Sequence, residues 1–122
     1  MDITPLREHA LLLRRKIYQV QLKLADEVYK IKQEETRLQE ISIISIDFRE
    51  RTLEITEIIQ GQLIWLETNA EFLENVPQKS TKNFNIEYEL MEKCMDFYKG
   101  CLQFITYVIP LQQKRLQEFP GQ

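Results

Sequence analysis

The chain has 122 residues, 43% hydrophobic and 29% charged, with a formal net charge of −3. This balance fits one domain that buries roughly two thirds of its extended surface, and it excludes a disordered chain. Three Gly and four Pro leave little turn material, while two Cys and one His exclude a disulfide framework and a multi-histidine metal site.

The charge is unevenly spread. Residues 1–40 carry eight Lys/Arg against seven Asp/Glu, residues 41–76 two against seven, and residues 77–122 six against five. An acidic middle beside a basic-edged first helix favours their packing, although exposed ion pairs contribute only about 0–1 kcal/mol each.

Helix one is predicted over residues 5–43, with Thr4 as its cap and Pro5 at the first helical position. Its seam runs Leu6, Ala10, Leu13, Ile17, Val20, Leu24, Ile31 and Leu38, a seven-residue repeat that keeps one stripe facing a partner helix. Beside it stands a basic row, His9, Lys16, Lys23, Lys30 and Arg37, placed to orient a neighbouring helix. Glu27 and Glu34 also fall on the seam and are read as the places where it turns towards solvent, because an unpaired buried carboxylate is costly.

A second apolar stripe, Leu11, Tyr18, Leu22, Ala25 and Tyr29, lies on another face of the same helix. One neighbour does not cover both. Either two helices of the same chain flank helix one, or a second copy does.

The stretch Ile41 to Phe48 is read as a turn, with Asp47 and Glu50 forming an acidic capping pair that opens helix two over residues 48–75. The rival is one unbroken helix over residues 5–75, since no strong breaker precedes Gly61. Helix two is predicted to bury Phe48, Ile55, Ile59, Leu63, Leu66, Ala70 and Leu73, broadened by Ile58, Trp65 and Phe72.

Residues 76–84 form the predicted loop. Helix three, residues 85–119, opens at Asn85 and presents Ile86, Leu90, Cys94, Phe97, Cys101, Phe104 or Ile105, and Val108, with Met91, Met95 and Leu102 widening the face. Pro110 removes an amide and predicts a kink. Cys94 and Cys101 are seven residues apart, about 10 Å along one helix, so they are read as reduced core residues.

No Gly-rich phosphate loop and no Glu-x-x-His pair occurs, so an enzyme and a cofactor are not expected. The apolar run Ala10 to Leu13 is too short for a secretory signal, and Cys101 to Leu111 falls short of a ~20-residue span, so a cytoplasmic location without membrane insertion is expected. The resulting expectation is an all-α, elongated antiparallel bundle of three long helices, kinked at Pro110 and completed by dimerisation. Its expected role is a non-enzymatic protein interaction module, such as an adaptor, assembly factor or regulatory subunit, whose partner is itself and, beyond that, a second protein. Two alternatives are a nucleic-acid-binding bundle using Arg14, Arg15 and Lys16, disfavoured by the overall acidity, and a carboxylate metal site at Glu27 and Glu34.

Overall fold

The computed structural model describes residues 2–34, 43–79 and 82–118. Among them the chain forms helix α1 (Thr4–Gln33), helix α2 (Ile43–Glu74) and helix α3 (Asn85–Gln103), which passes through a π-helical turn (Phe104–Val108) into helix α4 (Ile109–Glu118). No strand occurs among these residues. The fold is therefore an all-α bundle of three long rods, the third made of α3, the π turn and α4. At 30 residues, α1 alone is ~45 Å long.

Polar contacts fix the direction of the rods. Arg7 Nε donates to the Val76 carbonyl at 2.9 Å, Arg14 pairs with Glu74 at 3.2 Å, and Gln21 Nε2 donates to Glu67 at 3.1 Å. Arg49 Nε donates to the Ile31 carbonyl at 3.3 Å. Numbers rise along α1 as they fall along α2, so the two run antiparallel and the unbroken rod over 5–75 does not form. Trp65 meets Phe97, and Cys101 Sγ donates to Gln62 Oε1 at 3.5 Å, so α3 runs antiparallel to α2 as well.

Each rod buries a row with alternating spacings of three and four. On α1 the row is Leu6, Ala10, Leu13, Ile17, Val20, Leu24, Glu27 and Ile31. On α2 it is Ser45, Arg49, Thr52, Thr56, Ile59, Leu63, Leu66, Ala70 and Leu73. On α3 it is Glu87, Met91, Cys94, Tyr98, Cys101 and Ile105. This is the repeat of helices that pack side by side at a shallow angle. Each fully buried aliphatic or aromatic side chain in these rows contributes about 1.5–3 kcal/mol.

The irregularity at Pro110 takes a specific form. Pro110 offers no amide to the Thr106 carbonyl, and the Ile109 amide instead reaches back five residues to the Phe104 carbonyl. The wide turn takes up one extra residue. Without it the core row would continue from Ile105 to Val108; with it the buried positions are Ile109 and Leu116, and Val108 is only half-buried.

Several local expectations change. Helix α2 begins at Ile43, so Asp47 stands inside the helix, ion-paired to Arg51 at 2.9 Å, and does not cap it. The rest of the expected turn lies outside the described residues, as do Arg37 and Leu38. Thr4 does not cap α1 with its own side chain: Asp2 Oδ1 accepts from the Thr4 amide at 3.0 Å and from its hydroxyl at 2.9 Å. The Asp2 carboxyl is held below its usual range by these bonds. Asn83 does the same two residues ahead of Asn85, at 3.1 Å. The connection after α2 is more than an exposed loop, because Val76 and Phe84 are buried and plug that end of the core. Gln78 Oε1 accepts from the Ile3 amide at 2.9 Å and ties the plug to the start of α1.

Candidate interaction surface

The seam of helix one is spent inside the chain. Leu13, Ile17, Val20, Leu24 and Ile31 are all buried against α2, α3 and α4. The second stripe meets the opposite fate. Tyr18 is 62%, Leu22 56% and Tyr29 61% exposed, with Ala25 also exposed and Leu11 half-buried. Two helices of the same chain flank α1 and still leave this row open.

The antiparallel register explains why. Arg7, Arg14 and Gln21 mark the edge of α1 that faces α2. His9, Leu12 and Lys16 mark the opposite edge, where with Leu13 they line a groove of about 270 Å³ against Met91 and Met95 of α3. Tyr18, Leu22 and Tyr29 sit between these edges, on the side of α1 turned away from the core. Arg14 and Arg15 accompany Tyr18 on the α2 side, in a shallow cleft that also holds Gln19 and Glu67.

The basic row has a separate geometry. Lys30 binds Asp26 at 3.1 Å and Glu27 at 3.7 Å on its own helix, and the hydrogen bond it donates to Asp26 leads the causes that raise its pKa. Lys16 and Lys23 are exposed, and the α1–α2 contacts run through the other edge, Arg7, Arg14 and Gln21.

Two further exposed rows were not separated from the core by sequence reasoning. On α2, Ile58 is 62%, Trp65 44% and Phe72 59% exposed, at seven-residue intervals. On the third rod, Phe97 and Phe104 are about half exposed and Ile86 more so, whereas the buried face is the row one step round, through Glu87, Met91 and Tyr98. The missing signal was the strict three-four alternation: Ile59, Leu63 and Leu66 keep it, and Ile58 and Trp65 lie one position off.

Glu27 corrects another expectation. It is only 7% exposed, so it points into the bundle rather than out, and its Oε2 is buried with no hydrogen-bond partner. Glu34 is half-buried and does not join it in a ligand set. Among the described residues no group of three or more His, Cys, Asp or Glu side chains converges on a metal-sized site. Cys94 and Cys101 are free and buried, and burial pushes both thiols up, which opposes thiolate chemistry. His9 is exposed, with only Lys16 and apolar side chains around its groove. Among the described residues no helix is long and apolar enough to cross a membrane.

No family model matches the chain, and neither a curated protein nor a solved structure matches it.

Proposed function

We propose that this chain is a non-enzymatic helical interaction module that associates with a second copy of itself through the outer row of α1. The observation that carries the reading is the pair of apolar rows on one helix. The seam already has its partners, while Tyr18, Leu22 and Tyr29 remain more than half exposed at helical spacing. Large aromatic and aliphatic side chains in a continuous exposed row are what protein interfaces bury, and tyrosine is among the residues that dominate such interfaces. A role as an adaptor, assembly factor or regulatory subunit in the cytoplasm fits a bundle that offers exposed apolar side-chain rows for a partner to bury.

Tyr18→Glu combined with Leu22→Glu tests the reading. Both side chains are exposed in the single chain, so helicity by circular dichroism stays as in the parent. The solution mass falls to that of one chain. A parent that already has the mass of one chain at high concentration would sink the proposal.

A further inference from the structure

We infer that the second copy lies antiparallel on the outer row of α1, about a two-fold axis that crosses the helix between Tyr18 and Leu22, in the register that sets Glu8 against the partner's Lys32. This direction and register rest on the self-association proposed above and add to it how the two copies meet.

The apolar stripe belongs to a longer row. Leu11, Tyr18, Leu22, Ala25 and Tyr29 leave two gaps in an alternation of threes and fours, and charged residues fill it out. Glu8 precedes Leu11 by three residues, Arg15 stands four after Leu11 and three before Tyr18, and Lys32 follows Tyr29 by three. All of these side chains are exposed except Leu11, which is half-buried. Eight positions at this spacing make the seam of a two-helix pair, spread over most of the 30-residue helix. A charged residue within such a seam lowers its stability and fixes its register and direction.

The three charges choose one direction. In a parallel pair in register each position faces its own copy, so Glu8 would meet Glu8, Arg15 would meet Arg15 and Lys32 would meet Lys32, three like-charge layers that oppose association. In the antiparallel pair Tyr18 faces the partner's Leu22, Leu11 faces the partner's Tyr29, Arg15 faces the partner's Ala25 and Glu8 faces the partner's Lys32. The two-fold axis makes every one of these contacts twice. Opposite charges then close both ends of the seam. The long Arg15 side chain meets the smallest residue of the row, with the partner's Asp26 beside it and the partner's Tyr29 one turn on. Sliding the partner by seven residues one way sets Arg15 against the partner's Lys32; sliding it the other way carries Tyr29 to the partner's Thr4, outside the row.

The surrounding charges leave this choice to the row itself. Among the described residues Glu8, Arg15 and Lys32 form no ion pair, whereas Arg14 is held by Glu74, and Asp26 and Glu27 share Lys30. Glu67 of α2 lies in the same shallow cleft as Arg15 and accepts from Gln21. Lys16 and Lys23 stand round the other edge of α1 and face α3 rather than the row.

Cysteines placed on the row read the direction. Arg15→Cys and Ala25→Cys, both at exposed positions, are made separately in the full chain and oxidised alone and mixed, while light scattering follows association. The native Cys94 and Cys101 are buried, and the parent oxidised alone sets the background. The mixture is expected to give covalent dimers with one chain of each kind, and neither variant alone to exceed the background. In the antiparallel pair positions 15 and 25 face each other, whereas each is about 15 Å along the axis from its own copy, beyond the ~7 Å reach of a disulfide. Cross-linking of each variant to itself would make the pair parallel and overturn the inference, with self-association still standing. Association without a mixed cross-link would overturn it as well. A parent at the mass of one chain would remove the second copy and both readings with it. Charge exchange gives an independent result: Glu8→Lys is expected to raise the dimer dissociation constant about threefold or more, and Glu8→Lys with Lys32→Glu to restore it to within about twofold of the parent. The same constant for all three chains would overturn the pairing of Glu8 with Lys32.

Discussion

The inner and outer rows of α1 have nearly the same chemistry and opposite surroundings. Leu13, Ile17, Val20 and Leu24 are at most 5% exposed; Tyr18, Leu22 and Tyr29, on the far side of the same helix, are at least 56% exposed. The inner row stabilises the single chain, because each of its side chains leaves water when α1 meets α2 and α3. The outer row contributes almost nothing to that event. An apolar row at helical spacing thus announces a helix, and only the positions of its neighbours decide whether the row holds a fold or an assembly.

Truncating the buried rows of α1 and α2 gives the largest effect. Ile17→Ala or Leu66→Ala removes a fully buried side chain and is expected to cost about 2–5 kcal/mol in chemical denaturation. Losses below about 1 kcal/mol would mean that the inner row is not the core. Glu27 is the exception in that row, buried with one carboxylate oxygen unpartnered. Glu27→Leu is expected to stabilise the chain by about 1–2 kcal/mol, since replacing a poorly compensated buried charge with an apolar side chain is often favourable. A loss of stability would show that Glu27 has a structural partner in solution.

Gly61 sharpens the contrast from outside. Its missing Cβ would meet nothing within 4 Å, so Gly61→Ala is expected to add about 0.5–1 kcal/mol through helix propensity alone. A drop in melting temperature would reveal a close contact at that point. On the outer rows, Ile58→Ala and Tyr29→Ala are expected to change single-chain stability by less than about 0.5 kcal/mol, measured on dilute protein.

The acid limb of stability has an identifiable source. Glu87 Oε1 accepts from Lys82 Nζ at 2.8 Å, and this bond holds the Glu87 carboxyl below the usual carboxylate range. A carboxyl whose folded pKa is depressed stabilises the fold above its unfolded pKa of about 4.3 and loses that contribution as pH falls through the lower folded value. Lys82→Met is therefore expected to flatten the decline in melting temperature below about pH 4.3. An unchanged acid limb would remove this pair from the account of pH dependence.

Much of the fold could be read from the residues. The alternation from Leu6 to Leu24 gave helix one its buried face, and the few Gly and Pro gave three long rods. Where reading stopped, a physical reason can be named. The core row of α2 is apolar from Ile59 to Leu73 but polar below, with Ser45, Arg49, Thr52 and Thr56 at the buried positions, so hydropathy alone pulled the face towards Phe48 and Ile55. Thr52 and Thr56 are accommodated there because their hydroxyls donate to the Phe48 and Leu53 carbonyls of their own helix. On α3, large exposed side chains at Ile86 and Phe97 outweighed the buried Glu87 and Tyr98 beside them. The shift of the core row at the π turn was signalled only by Pro110. The stripe of α1 was visible as a stripe; its exposure depended on where α2 and α3 settle.

The most direct measurement is the solution mass of the full chain by light scattering across a dilution series, run beside the Tyr18→Glu, Leu22→Glu variant. The expected result is a mass above that of one chain at high concentration that falls on dilution, with the variant at one chain throughout. A parent at the mass of one chain over the whole series, or a variant that associates as the parent does, would contradict the division between an inner row that folds the chain and an outer row that joins two copies.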